Sequence, residues 1–366
     1  MQFQVDREKL SKILSVISHQ VISKPALPVL ANILFEAEKN NLKISATNLE
    51  LGAVFNISAK VEKTGKTTLP AKTLTDFVLT LTKPQVDFRL ENSEMEVSAG
   101  ASVAKIPLIP ADEYPQIPKI ATSLCQISGK KLAEVLERII FAASSDLGRP
   151  VLTGVLTEFK NDSLEFVATD GYRLSFEKIP LTKKTPETSL VIPARTLSQL
   201  VRVMTEEKEA QVKILFDSNV NQVGFEVGET FLISRLIDGN FPDWQKIIPQ
   251  TFKTKVLVSC AELAQAVKTA SIFAREAGDT VRLNFDKNLE IKTQSGVGTS
   301  ITKVGAKIEG DSQEVAFNWR YLVEILQIMP QDAVEVNIVE SLSPIKFAPT
   351  GAKIDFFHIV MPVRIA

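Results

Sequence analysis

The residues in this sequence that suggest chemistry are few, and their spacing fails the chemistry each one suggests. The run V-E-K-T-G-K-T-T-L-P around Gly65 ends like a phosphate-binding loop, in which backbone amides cradle phosphate and a lysine reaches it. That loop needs a glycine five residues before Gly65, where Lys60 stands, and a helix after Thr67, where the pattern predicts a strand. A hairpin turn is the reading that fits. Gly296-Val297-Gly298 lacks a third glycine and a following helix, and also reads as a turn. The two histidines, His19 and His358, are far apart, and neither has a ligand or nucleophile motif beside it. No H-E-x-x-H, G-x-S-x-G or D-x-D-x-D-G segment occurs. Asp170-Gly171 could place a carboxylate at a turn, but those residue types form turns without any catalytic role. Cys125 and Cys260 suggest free thiols in a reducing cytoplasm rather than a disulfide framework or zinc site. A hydrolase would need a nucleophile and a base that the sequence does not offer. No catalytic residue, cofactor or metal is expected.

The elements that would position any site repeat along the chain. L-P-A-K-T-L-T-D-F-V-L-T-L from Leu69, I-P-A-R-T-L-S-Q-L-V-R-V-M from Ile192 and F-N-W-R-Y-L-V-E-I-L-Q-I-M from Phe317 share apolar residues at i, i+3, i+4 and i+7. Leu74, Leu197 and Leu322 are 123 and 125 residues apart, and 366 residues is three times 122. A second helix recurs: Leu10, Ile13, Leu14 and Ile17 match Leu132, Val135, Leu136 and Ile139, and Leu263, Ala266, Val267 and Ala270. Such stripes fit helices lying on a sheet. The six predicted helices span 7–17, 72–82, 130–140, 195–205, 261–271 and 320–330. Asp6 is a candidate N-cap for the first, and Ser259 with Glu262 a capping box for the fifth. Between helices, alternating runs separated by K-N-N, K-N-D-S and D-K-N turns predict antiparallel hairpins. The fold class is α+β, with two helices and about eight strands per repeat.

Repeats of this length are domains, because each can bury its own core. Boundaries in the proline-bearing connections around Pro115 and Pro242 divide the chain into 1–121, 122–248 and 249–366. With 45% hydrophobic and 23% charged residues the composition is that of a soluble globular protein. No run approaches a membrane span, and the N-terminus lacks the apolar centre of a signal peptide. The formal net charge is −1. Within the predicted helices, however, eleven Lys or Arg face six Asp or Glu, so the helices carry +5 and the remainder −6. A mildly basic helical surface would hold a polyanionic backbone weakly and without reading sequence. No interleaving of aromatic and basic residues suggests stacking on single-stranded bases.

V-A-T-D-G-Y-R-L-S at Val167–Ser175, L-I-D-G-N-F-P-D-W at Leu236–Trp244 and M-P-V-R-I at Met361–Ile365, with the threefold repeat, resemble the bacterial β sliding clamps, the processivity subunits of DNA polymerase III. The likeness covers essentially the whole chain. It implies three clamp domains, each with two inner helices and outer antiparallel sheets. It implies a head-to-tail homodimer that closes as a ring around duplex DNA without sequence preference. It also implies an apolar pocket that takes short linear motifs from polymerases, the clamp loader and repair proteins. A three-domain scaffold that binds such motifs without enclosing DNA is the alternative.

By the same resemblance, the pocket wall comprises Leu152, Thr169, Gly171, Tyr172, Arg173 and Leu174, with Pro242, Lys246 and Ile247 from the connection. Tyr321, Leu342, Pro344, Met361, Pro362, Val363, Arg364 and Ile365 complete it. Arg173 and Arg364 are expected to orient backbone carbonyls or an acidic residue of the motif. DNA contacts fall to Lys24, Lys72, Arg149 and Arg195. The loop 146–150 lacks the paired aromatics that touch DNA in some relatives, Tyr172 stands where histidine is common, and Lys246 where arginine is. The dimer contact sets Ile272 and Phe273 against the strand around Ala104 and Ile106.

Overall fold

The computed structural model describes residues 1–18, 21, 25–207, 211–351 and 354–364. Its six α-helices are α1 (Arg7–Ser18), α2 (Ala71–Thr80), α3 (Gly129–Ile140), α4 (Ala194–Glu206), α5 (Cys260–Ala274) and α6 (Trp319–Ile328). All six lie where the apolar spacing puts them. The Asp6 carboxylate accepts the Lys9 amide at 2.9 Å at the start of α1, and Ser259 Oγ accepts the Glu262 amide at 3.4 Å at the start of α5. These bonds satisfy amides that have no partner within the helix. Helix α6 stops before Pro330, whose ring disfavours helical geometry at Met329. The expected stripes are buried, with two exceptions. Phe77 and Val201 are half-buried, and Thr75 and Val203 take the inward positions, because the 3.6-residue period lets the buried face of each helix shift by one side chain.

The strands are antiparallel, and the chain divides into two compact units. The first is Met1–Ala133 with Arg195–Leu236; the second is Glu134–Ala194 with Ile237–Ala366. In the first, a five-stranded sheet runs in the order Lys60–Lys63, Gln2–Asp6, Gln85–Glu91, Glu94–Ala99, Ser102–Pro107. Phe3, Phe35 and Phe88 stack in its core, the Phe3 and Phe88 ring centres 4.6 Å apart. Burying each ring contributes about 2–3 kcal/mol. The eight-stranded sheet beside it is joined in its middle where Thr230–Arg235 pairs with Leu51–Ser58, setting Ser234 opposite Leu51.

In the second unit a nine-stranded sheet is joined in the same manner. Arg173–Pro180 pairs with Asp355–Val360, setting Leu174 opposite Ile359. A four-stranded sheet and helices α5 and α6 enclose Leu263, Phe285, Phe317 and Phe347. The compact units and the sequence repeats are thus different partitions of the chain: strands from the central repeat extend a sheet begun by each neighbour. Gly65–Pro70 is a strand paired with Asn32–Glu38, while Lys60–Lys63 before it pairs with Gln2–Asp6 in the other sheet, so the G-K-T segment opens a strand and is not the hairpin turn expected. No helix among the described residues is long and apolar enough to cross a membrane.

Candidate functional site

The described residues expected to form the pocket all fall in the second unit. Their frame is the turn after Ser163–Thr169. Thr169 Oγ1 donates to the Arg173 carbonyl at 2.6 Å and accepts the Gly171 amide at 3.0 Å. Asp170 Oδ1 accepts the amides of Tyr172 at 2.8 Å and Arg173 at 3.0 Å. Gly171 has φ +93°, a conformation that glycine adopts without strain. This turn projects Tyr172 outward, 61% exposed.

The C-terminal segment is stitched to this frame at two points. The Met361 amide donates to the Tyr172 carbonyl and the Val363 amide to the Ala316 carbonyl, both at 2.8 Å. Ile345 pairs with Val360, so the loop carrying Leu342 and Pro344 lies beside the start of that segment. Trp244 stacks on Phe176 with ring centres 5.0 Å apart and anchors the stretch containing Pro242, Lys246 and Ile247. Leu152, Thr169 and Leu174 are buried beneath, whereas Tyr172, Ile247, Leu342 and Val363 are exposed, Leu342 by 57%. A fixed backbone carrying a few exposed apolar side chains suits an extended peptide held by two or three anchors. Arg364 is exposed, and Ile365 lies outside the described residues.

Arg173 is engaged within the protein at three points. Its Nε donates to Asp170 at 3.1 Å, its Nη2 to the Phe141 carbonyl at 2.8 Å, and its Nη1 to Glu324. The guanidinium carbon lies 5.1 Å from the Phe141 ring centre and 4.7 Å from that of Tyr321. A guanidinium so engaged holds the site together and has little left for a ligand's carbonyl. Glu324 and Phe141 escaped the sequence reading, although Glu324 shares a helix face with Tyr321 at i+3. Lys246 pairs with Asp243 at 2.7 Å, and that hydrogen bond raises its pKa.

Beneath this surface His358 is fully buried, its Nδ1 2.7 Å from Ser175 Oγ and its ring stacked on Phe141. Burial, reinforced by Arg173, pushes its pKa well below the ordinary value, so the ring is neutral and structural. His19 lies outside the described residues. Burial likewise lifts the thiols of Cys125 and Cys260 to about 11, which keeps both protonated and unreactive.

The basic side chains are distributed less simply than the helix count implies. Lys72 is exposed on α2 and Arg195 on α4, where Arg195 pairs with Glu50. Arg149 pairs with Asp146 at 3.1 Å; the Gly148 amide and Arg149 together hold that carboxyl below its usual range. Lys24 lies outside the described residues. Arg138, counted among the surface bases, is instead turned inward. It forms two 2.7 Å bonds to the carboxylate of Glu177, which is itself buried in the strand Arg173–Pro180.

Ile272 is 64% exposed near the end of α5, and Phe273 packs 3.2 Å from where a Cβ on Gly298 would stand. Ser102–Pro107 is an outer strand of its sheet, so its far edge is unpaired among the described residues. Ile106, expected to face a partner, is only 2% exposed. Strand alternation turns it into the core and leaves Val103 and Lys105 outside, with Ala104 half-buried.

Three family models match in succession. They are the N-terminal domain of the DNA polymerase III beta subunit over residues 1–118, its central domain over 126–243 and its C-terminal domain over 245–364. A beta sliding clamp of Synechococcus elongatus is 32% identical over the whole of both chains. The crystal structure of the DNA polymerase III beta subunit of Thermotoga maritima superposes with a TM-score of 0.94 at 27% identity, each chain covered completely. A Pseudomonas aeruginosa sliding clamp bound to griselimycin superposes at 0.93 and 26%, again over the whole of both chains.

Proposed function

The chain belongs to the DNA polymerase III beta subunit family, the bacterial beta sliding clamps, and we propose that it closes as a head-to-tail homodimer around duplex DNA. The observation that carries this reading is the unbroken succession of three clamp-domain matches along one chain. In this reading the domains are 1–121, 122–248 and 249–366, and two copies bring six of them into one ring. The α-helices line the hole. With Arg138 turned inward, ten Lys or Arg against seven Asp or Glu on those helices supply a thin basic cushion. Retention then comes from enclosure, and weak phosphate contacts through Lys72, Arg149 and Arg195 leave the ring free to slide.

The surface around Tyr172, Ile247, Leu342 and Val363 receives short linear motifs of the replicative polymerase, the clamp loader and repair proteins, one at a time. Holding the polymerase at the primer end raises processivity without a catalytic group in this chain, and the protein works in the cytoplasm. Product length on a primed circular template, with polymerase and clamp loader supplied, tests the reading. The chain should lengthen products, and Leu342→Asp with Val363→Asp should return them to the length made without it. Products equally long with that double variant would overturn the assignment of the motif surface.

A further inference from the structure

The first unit repeats the frame of the peptide site bond for bond. Thr47 Oγ1 donates to the Leu51 carbonyl at 3.1 Å and accepts the Leu49 amide at 3.0 Å, as Thr169 does with Arg173 and Gly171. Asn48 Oδ1 accepts the amides of Glu50 at 3.0 Å and Leu51 at 2.8 Å, as Asp170 does with Tyr172 and Arg173. The Arg235 amide donates to the Glu50 carbonyl at 2.9 Å, matching Met361 and Tyr172. The geometry points to a second docking surface, formed by Leu49, Val220 and Leu236, for a short extended peptide that combines an apolar anchor with a carboxylate. This inference rests on the reading of the second unit's site as a peptide site.

The apolar component is held out at a cost. Leu49 takes φ +73°, the region that Gly171 occupies freely in the other turn. A residue with a Cβ is strained there by about 1 kcal/mol, and Leu49 recovers little by burial, being 48% exposed. Val220 is 50% exposed on the turn between Gln211–Asp217 and Gln222–Val227, the counterpart of the loop that carries Leu342. The Leu236 amide ties that turn down by donating to the Asn221 carbonyl at 3.0 Å.

The charge at the rim favours an acidic partner. Arg195 and Arg235 are exposed there; Glu50 pairs with Arg195, and Asp217 accepts the Asn219 amide within the Val220 turn, so Arg235 is the guanidinium that offers itself to a ligand carboxylate. The floor differs from that of the second unit. The Tyr114 hydroxyl accepts the Thr47 amide at 3.0 Å, and its ring packs with Val29 and Leu30, which fills the space below.

A random short-peptide phage library panned on the full chain carrying Leu342→Asp and Val363→Asp tests this with the second unit's surface blocked. Enriched sequences, made as synthetic peptides, are titrated by fluorescence anisotropy. They should pair apolar with acidic residues, and adding Leu49→Asn and Val220→Asn should weaken them roughly tenfold or more. Asn tolerates the positive φ at position 49, and an unchanged melting temperature confirms that the variant folds. No enrichment, or peptides indifferent to the Asn pair, would overturn the second surface. Panning in parallel on the chain with only the Asn pair separates the two readings: if the peptides it yields are indifferent to Leu342→Asp and Val363→Asp, the assignment of the second unit's site fails instead.

Discussion

The Arg173 guanidinium lies 4.7 Å over the Tyr321 ring, and the same group bonds to Asp170, Glu324 and the Phe141 carbonyl. One side chain thus ties the Tyr172 turn to α6 and to the end of α3, and the turn that carries the apolar surface depends on it. Lysine keeps the charge but lacks the planar fork. Arg173→Lys should therefore weaken binding of a polymerase-derived peptide roughly tenfold and lower the melting temperature, as read by anisotropy and calorimetry. Undiminished peptide affinity in a destabilised variant would show that the clasp is structural alone.

The Arg138–Glu177 pair makes a stability prediction of its own. Both side chains are largely withdrawn from water, so removing the arginine takes the cationic partner from a buried carboxylate. Arg138→Ala should cost about 3–5 kcal/mol in urea denaturation. A loss below about 1 kcal/mol would place this pair with exposed ones, which contribute little.

His358 predicts a pH dependence whose sign follows from its neutral, buried state. Its pKa is depressed in the folded chain and near 6.5 when unfolded, so the unfolded chain takes up the proton first. The groups facing it are Ser175, which bonds to Nδ1, and Arg173, whose charge opposes protonation. Stability is then complete above about pH 6.5 and falls by about 1.4 kcal/mol per unit as the pH drops below that value toward the folded pKa. His358→Asn keeps a polar partner for Ser175 and should flatten urea midpoints compared between pH 7 and pH 5. An equal slope in the variant would assign the loss to other groups.

The contrast between Leu10 and Ile106 shows what could be read from the sequence. Leu10 sits in a stripe with Ile13, Leu14 and Ile17, and all four are buried as the helical period requires. Ile106 carries no such mark: a strand's period of two says that one face is buried but not which, and here the core took it. The positions of Arg138 and Arg173 were hidden for a related reason. Their partners Glu177, Glu324 and Phe141 are distant in sequence, and only the folded second unit brings them within reach. Helices, hairpins and the repeat are local and were legible; charge pairing across the fold was not.

The exposed end of α5 carries the assembly prediction. With Ile272 largely exposed beside Phe273, replacing both with aspartate puts two charges where an apolar contact is expected. Light scattering should then report a monomer of unchanged secondary structure. A variant that still formed dimers would place the contact elsewhere, with Val103 on the outer strand Ser102–Pro107 the next residue to change.

Topological retention on DNA tests the central claim most directly. The chain is loaded by a clamp loader onto nicked circular DNA, freed of loader by gel filtration in high salt, and the circle is then cut at one site. A ring held by enclosure stays with the circle and runs off the free ends, so the co-eluting chain should fall to background after linearisation. Retention equal on circle and line would contradict enclosure and leave the three-domain scaffold as the better account.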